Sequence, residues 1–127
     1  MTRTSISTGS RYEELMGYSR AIIADGVAYV SGCSGLPADM DVVGPADAAS
    51  QFAHAVAKVS RILEQAGSSL ENVTRTRIYL TDADDWEPLI EAHGRAFSAI
   101  RPACTMVQVA RLIDPRMRVE LEVTAIV

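Results

Sequence analysis

The sequence predicts an α+β fold: a two-layer sandwich in which a mixed β-sheet carries two helices on one face. Strand-like segments with alternating apolar residues occur in pairs near both ends of the chain. Two longer segments have apolar residues at helical spacing, and a further strand lies between them. The resulting order is ββ-α-β-α-ββ, with room for one more N-terminal strand. A helix between strands permits a parallel crossover, which would be right-handed.

The N-terminal part of the chain predicts a β-hairpin. Residues 18–24 and 27–32 are two apolar runs on either side of an Asp-Gly pair at 25–26. This dipeptide is typical of a type I′ turn, which requires positive φ at both positions. Residues 3–8 could add a short edge strand. Residues 33–45 contain two glycines and two prolines and are predicted to be a loop.

The first helix is predicted for residues 46–66, ending at Gly67. Its apolar residues recur at helical spacing and should be buried: Phe52, Val56, Val59, Leu63 and Ala66. The polar residues fall on the opposite side and should face solvent: Asp47, Gln51, His54, Lys58, Arg61 and Gln65.

A β-branched segment at residues 73–81 predicts the next strand, and a second helix follows with Asp84 or Asp85 as its N-cap. The predicted buried stripe of that helix is Trp86, Ile90, His93, Phe97 and Ile100. His93 thus lies on the apolar side. A core histidine with a satisfied hydrogen bond is the more usual explanation, and a residue lining a functional site is the alternative.

Two strands are predicted at the C-terminal end, at residues 104–110 and 117–127. In the last strand apolar residues alternate with charged ones, so one face of the sheet can receive the two helices. The other face combines arginine, tyrosine and glutamate side chains, which suits water or a partly polar subunit interface.

Composition is consistent with a single domain spanning residues 1–127. The chain is 48% hydrophobic and 22% charged, which is typical of a globular protein. A net charge of −4 argues against nucleic-acid binding. No segment approaches the length of a membrane span, and the N-terminus lacks the apolar segment of a signal peptide. The two cysteines neither form a disulfide scaffold nor suggest a zinc site. A cytoplasmic protein without a membrane or nucleic-acid partner is the simplest expectation.

The C-terminal run RPACTMVQVARL, residues 101–112, followed by VELEV at 119–123, resembles the signature of the Rid family, also called YjgF/YER057c/UK114. Residues 17–21, 30–32, 66–73 and 76–80 resemble further family segments in the same order. The resemblance implies a chorismate-mutase-like fold and a homotrimer with sites in clefts between subunits. It also implies hydrolysis of reactive 2-enamines and 2-imines to 2-keto acids and ammonia, without a metal or an organic cofactor.

The resemblance also implies roles for individual residues. Glu120 matches the acidic position that would position or activate water and transfer protons. Ile90 stands where many relatives carry asparagine, and His93 where tyrosine is common. The positions implied to bind substrate are Tyr18, Ser31, Gly32, Ile90, His93 and Cys104.

Cys104 departs from the family pattern, because well-studied members carry an arginine there that binds a substrate carboxylate. A thiol supplies neither a fixed charge nor a bidentate fork. Since charged hydrogen bonds contribute roughly 1.5–3 kcal/mol each, the expected consequence is altered substrate specificity. A pocket-lining thiol is favoured over a nucleophile, which would need a lowered pKa and a nearby base. A redox pair of Cys33 and Cys104 is a weaker alternative.

Three functions are therefore considered. The first is an imine or enamine hydrolase whose substrate lacks the usual carboxylate or binds it differently, with Glu120 as the acid/base. The second is a non-enzymatic trimer that binds or reports a metabolite. The third, a ribonuclease, is disfavoured by the acidic balance of the chain.

Overall fold

The computed structural model describes residues 2–37 and 44–127, and the strands in these ranges form one six-stranded sheet. In chain order the strands are β1 (Arg3–Ile6), β2 (Ala21–Ala24), β3 (Val27–Ser34), β4 (Val73–Leu80), β5 (Ala103–Gln108) and β6 (Val119–Ile126). They lie in the order β1-β2-β3-β6-β4-β5. The β4–β5 pair is parallel, and the other neighbouring pairs are antiparallel. The predicted mixed sheet is confirmed. Residues 38–43 of the predicted loop lie outside the described residues.

The predicted hairpin is confirmed in β2 and β3. Asp25 and Gly26 have φ of 51° and 77°, which is the geometry of a type I′ turn, and Ala24 pairs with Val27 across it. The first strand of the hairpin begins three residues later than predicted, at Ala21. The delay reflects an element that the sequence patterns did not predict.

That element is a short helix, α1 (Arg11–Met16). Ser10 caps its N-terminus by accepting a hydrogen bond from the Tyr12 amide, and Gly17 ends it at a φ of 78°. Its one buried residue is Glu13, whose carboxylate accepts hydrogen bonds from the amide and hydroxyl of Thr8. Because α1 is six residues long and mostly exposed, it carries no apolar stripe for periodicity to detect.

The first long helix, α2 (Ala48–Gln65), lies across β3 and β6. Asp47 caps its start, and the chain leaves its end through Gly67, which has a φ of 79°. Four residues of the predicted stripe are buried and Val56 is partly buried; the four are Phe52, Val59, Leu63 and Ala66. This face and the apolar face of the sheet form the core.

Two members of the predicted solvent face of α2 are not solvated. Gln51 is 0% exposed; its amide nitrogen donates to the carbonyls of Pro45 and Arg116, and its oxygen accepts from the amide of Arg118. Lys58 is partly buried and donates to two carbonyls at the end of β3. The prediction was wrong because hydropathy treats a polar side chain as solvated, whereas backbone partners can satisfy it inside the protein.

The second long helix, α3 (Trp86–Phe97), is rotated relative to its predicted packing. Trp86 and Ile90, predicted to be buried, are 52% and 48% exposed. The face that packs on the core carries Leu89, Ala92 and Phe97. The sequence offers two overlapping apolar stripes, offset by about one residue, and periodicity does not decide which of them faces the sheet.

Alternation along β4 and β6 is confirmed. Thr76, Ile78 and Leu80 of β4 are buried, as are Val119, Leu121, Val123 and Ala125 of β6. The opposite face of these strands carries the intervening polar residues. On it the Tyr79 hydroxyl donates to Glu122, and Arg77 lies 3.9 Å from the same carboxylate.

Candidate functional site

A β-bulge in β3 forms the centre of the candidate site. Val30 pairs with Val123 of β6, but the next pair is Cys33 with Leu121, so β3 has one extra residue between the two pairs. The extra length falls at Ser31 and Gly32. The Ser31 amide donates to the Arg20 carbonyl and its hydroxyl to the Ser19 carbonyl. The bulge is thereby tied to the segment that precedes β2.

The carboxylate of Glu120 lies against this bulge. Its neighbours Val119 and Leu121 are buried beneath the helices, so Glu120 projects from the opposite face of the sheet. A Cβ placed on Gly32 would come within 2.3 Å of the Glu120 Oε1 atom. A glycine is therefore required at position 32 for the carboxylate to occupy this position.

Partial burial sets the proton affinity of Glu120. Loss of solvation raises the pKa of the Glu120 carboxyl above its ordinary value, and the negative charge of Glu122 adds to the rise. The positive charges of Arg20 and Lys58 lower it but do not cancel the effect of burial. A carboxyl with a raised pKa is better matched to general acid/base chemistry near neutral pH than an exposed one.

Arg20 is the site residue that sequence reasoning missed. It immediately precedes Ala21, the first residue of β2, and its guanidinium lies at the bulge. Its Nη2 donates to the Tyr18 hydroxyl at 2.7 Å, and its Nη1 donates to the Gly32 carbonyl at 2.5 Å. Nη1 also lies 3.7 Å from the Cys33 Sγ. The available signal was a cation two residues after Tyr18, within a segment that resembles the family.

These residues form what we call the bulge group: Tyr18, Arg20, Ser31, Gly32 and Glu120. A cavity of about 420 Å³ opens between α1 and the segment that leads into β2, and of the bulge group only Tyr18 lines it. A larger cavity, of about 550 Å³, lies near the start of β6 and contains none of the predicted site residues. We place the candidate site at the bulge group because the titratable and hydrogen-bonding groups converge there.

The other predicted site residues form a second cluster, the edge group: Ile90, His93 and Cys104. Cys104 is exposed on the edge strand β5 and pairs with Thr76 of β4. His93 Nε2 lies 2.9 Å from the Thr76 hydroxyl oxygen, and the His93 ring packs on Phe97 with ring centroids 4.8 Å apart. Burial lowers the pKa of His93. His93 therefore has the satisfied hydrogen bond expected of a core histidine.

One chain does not bring the two groups together. Glu120 of β6 pairs with Tyr79 of β4, whereas Cys104 of β5 pairs with Thr76, three residues from Tyr79 on β4. Cys104 also projects to the helix-covered face of the sheet, as the buried Thr76 does. Cys33 is buried on β3, three strands from β5. At about 4.8 Å per strand the two cysteines are about 14 Å apart, beyond disulfide reach. A Cys33–Cys104 pair within one chain is ruled out.

In residues 2–37 and 44–127, no helix has the length and hydrophobicity needed to cross a bilayer. Within the same ranges, no three His, Cys, Asp or Glu side chains cluster closely enough to bind a metal ion.

The fold and the bulge group define the class: a small α+β protein with one mixed sheet and a carboxylate-centred polar site at a strand irregularity. Comparison with known proteins makes this class specific. The family model described as Endoribonuclease L-PSP matches residues 8–127. The chain therefore belongs to the Rid (YjgF/YER057c/UK114) family.

Individual relatives agree with this assignment. The chain is 31% identical over 121 residues to the RutC family protein UK114 of Drosophila melanogaster, covering 94% of this chain and 88% of that protein. It is 37% identical over 107 residues to the 3-aminoacrylate deaminase RutC of Acinetobacter baylyi, covering 84% of each. The crystal structure of Rv2704 from Mycobacterium tuberculosis superposes with a TM-score of 0.90 at 40% identity, covering 99% of this chain and 100% of that one.

Proposed function

We propose that the protein hydrolyses a small imine or enamine, releasing ammonia and a carbonyl product, with Glu120 as the general acid/base. The observation that carries the proposal is the Glu120 carboxylate, partly buried against Gly32 beside the hydrogen-bonded pair Tyr18 and Arg20. One relative is named a 3-aminoacrylate deaminase, a reaction of the same class.

The chemistry requires proton transfers that a single carboxyl can perform. Protonation of an enamine on carbon gives the iminium ion R₂C=NH₂⁺. Water then adds to the iminium carbon as the Glu120 carboxylate accepts a proton from that water, which gives the neutral carbinolamine R₂C(OH)NH₂ and a protonated Glu120. Glu120 returns this proton to the nitrogen, ammonia leaves, and the hydroxyl proton passes to solvent, so that R₂C=NH₂⁺ and H₂O become R₂C=O, NH₃ and H⁺. The raised pKa of Glu120 favours both directions of proton transfer near neutral pH.

The identity of residue 104 supports a substrate choice different from that of arginine-containing relatives. Cys104 offers no positive charge with which to bind a carboxylate at its own position. The substrate therefore either lacks a carboxylate or has it bound by another residue. This part of the proposal concerns specificity and is separate from the role of Glu120.

We also propose that the protein works as a homotrimer in which the edge group of one subunit faces the bulge group of the next. The separation of the two groups within one chain supports this arrangement, since residues at Glu120 and Cys104 could line one cleft only across an interface. The partly polar sheet face, with Tyr79 and Glu122, would then lie inside the assembly.

The test is turnover of 2-aminoacrylate, generated in the assay by a pyridoxal-phosphate lyase, and of a neutral imine, each measured as ammonia release above the rate without protein. Glu120→Gln should lower the protein-dependent rate by about 100-fold or more, since positioned acid/base groups contribute roughly 10²–10⁴-fold. Glu64→Gln is the matched control because it makes the same change at an exposed position on α2. Its rate should stay within a few-fold of wild type.

Three outcomes would contradict the proposal. Full activity in Glu120→Gln would remove the assigned acid/base. Absence of turnover of both substrates by the wild type would favour the alternative, a non-enzymatic trimer that binds a metabolite. Cleavage of RNA by the purified protein, lost in Glu120→Gln, would favour the ribonuclease function instead.

A further inference from the structure

Arg20 differs from the paired arginines of this protein because its hydrogen-bond partners are all neutral. Arg77, Arg116 and Arg118 each have a carboxylate oxygen nearby, at 3.9, 3.0 and 2.8 Å respectively. Arg20 instead donates to a phenol, a carbonyl and a thiol. Within residues 2–37 and 44–127, no carboxylate forms a contact ion pair with it. Glu13 and Glu120 act on its charge from beyond ion-pair distance, so its donors are available to an incoming anion.

The guanidinium also has donors to spare. Arginine has five N–H groups. The two on Nη1 are directed at Gly32 and Cys33, and one on Nη2 at Tyr18. The Nε–H and the second Nη2–H have no partner among the residues that the structure describes, and together they can bind the two oxygens of one carboxylate. The Tyr18 hydroxyl accepts from Arg20, and its own proton, which has no acceptor in residues 2–37 and 44–127, can be donated to the same ligand.

Arg20 and Glu120 meet at Gly32 without forming a salt bridge. The Gly32 carbonyl accepts from Arg20, and the Glu120 carboxylate lies against the Gly32 Cα. The two charges are near enough for Arg20 to oppose the rise in the Glu120 pKa, yet no N–O contact within 4 Å joins them. A small molecule with an anionic end and a reactive carbon could thus contact both side chains at once.

We infer that Arg20 binds the anionic group of the substrate and so supplies the cation that Cys104 cannot. The substrate class is then a small imine or enamine that carries a carboxylate, held by Arg20 and the Tyr18 hydroxyl with its reactive carbon toward Glu120. The assignment of the ligand as a substrate rests on the proposed function. The anion site itself does not, because it can be measured as binding without turnover.

The experiment compares two ligands of the same shape that differ in charge. Pyruvate carries the carboxylate of the expected keto-acid product, and pyruvamide replaces that carboxylate with a neutral amide. Dissociation constants for both are measured by calorimetry or ligand-observed NMR. The wild type should prefer pyruvate. In Arg20→Gln that preference should fall by roughly 10- to 100-fold, the value of one or two charged hydrogen bonds. Arg20→Lys should retain part of it, because it keeps the charge but loses the fork.

Arg95→Gln is the matched control, since it removes the same charge from an exposed position on α3. It should keep the wild-type preference for pyruvate. If Arg20→Gln does not fold, as judged by circular dichroism, Tyr18→Phe replaces it and should lower the preference by about 3- to 10-fold through loss of one hydrogen bond.

Several results would overturn the inference. A wild type that shows no preference for pyruvate has no anion site of this kind. An Arg20→Gln protein that keeps the preference binds the anion elsewhere. Equal weakening of both ligands in Arg20→Gln indicates that Arg20 only shapes the bulge. A clear Arg20-dependent preference together with no turnover of any imine would leave the anion site standing and refute the proposed hydrolase.

Discussion

The bulge group and the edge group differ in what their side chains can do. The bulge group combines a half-buried carboxylate and a cation with neutral partners, both in contact with Gly32, and a phenol that is hydrogen-bonded to the cation. The edge group consists of an exposed thiol, an exposed isoleucine and a histidine already bonded to Thr76. Polar chemistry is thus concentrated at the bulge, and the edge group offers mainly shape.

This difference bears on how family resemblance should be interpreted. Position 104 is where the resemblance places a carboxylate-binding arginine, and its replacement suggests that carboxylates are no longer bound. The structure instead has a guanidinium at Arg20, on the bulge side. The chemistry of a site can be preserved when the residue that supplies it changes, and only the three-dimensional arrangement reveals the substitute.

In the comparison of the two groups, the largest expected effect is a loss of activity when the bulge group is disturbed. Gly32→Ala places a Cβ where the Glu120 carboxylate now lies, 2.3 Å from Oε1, so the carboxylate must move. Misplacing a catalytic group by about 1 Å can cost about 100-fold in rate. We expect kcat/KM for 2-aminoacrylate to fall by about 10- to 100-fold, with thermal stability reduced far less.

A glycine-to-alanine change on α3, the helix that carries Ile90 and His93 of the edge group, should instead raise stability and leave activity unchanged. A Cβ on Gly94 of α3 meets nothing within 4 Å, and alanine is favoured over glycine inside a helix by about 0.5–1 kcal/mol. Gly94→Ala should raise the midpoint of urea unfolding and leave kcat/KM near wild type. Equal losses of activity in Gly32→Ala and Gly94→Ala would contradict the prediction that catalysis depends on the bulge group more than on α3.

A second prediction concerns stability beneath the edge group. Thr76 is 0% exposed, and its hydroxyl is the partner of His93 Nε2. Thr76→Val keeps the shape but leaves the imidazole nitrogen unpaired, which should cost about 1–3 kcal/mol of unfolding free energy. In a His93→Phe background the same change should cost much less, as a double-mutant cycle by urea denaturation can measure. Additive effects would show that the contact contributes no stability.

A third prediction supplies a cation to the edge group. Cys104→Arg should raise kcat/KM for 2-aminoacrylate by about tenfold, the value of one charged hydrogen bond. The gain should be larger in an Arg20→Gln background, where the second cation restores a lost charge instead of duplicating one. No gain in either background would mean that position 104 does not face the substrate.

The smallest expected effect is the pH dependence of stability. Burial raises the pKa of Glu120 in the folded protein, so folding favours the protonated carboxyl. The favourable contribution of this group is fully present below its unfolded-state pKa and is lost as the pH rises through its folded-state pKa. Glu120→Gln should therefore unfold at higher urea than wild type at pH 7, and the advantage should shrink toward pH 4. If the stability advantage of Glu120→Gln instead grew at low pH, folding would lower the pKa of Glu120 and the prediction would be wrong.

Much of the fold followed from the sequence because it rests on local rules. Alternation in β4 and β6, helical spacing in α2 and the Asp25-Gly26 turn each reflect backbone geometry and the burial of apolar side chains. The failures have a common cause. Gln51 is buried through hydrogen bonds to backbone groups, two of them more than sixty residues away in the chain, and no local pattern reports them.

The candidate site was only partly predictable for a related reason. Glu120, Gly32 and Tyr18 came from family resemblance, and the structure brings them together. Arg20 carries no motif of its own. Its role depends on a bulge that shifts the register by one residue, which turns the Gly32 carbonyl toward the guanidinium.

The sequence by itself determined which segments form the strands and the two long helices, because periodicity and turn chemistry are local properties of the chain. It also determined that one face of the sheet would be covered. Only the tertiary structure decided which stripe of α3 packs inward, where Gln51 finds its partners, and that a guanidinium and a carboxylate meet at Gly32. Those outcomes depend on distances between residues far apart in the chain, and such distances are set by packing.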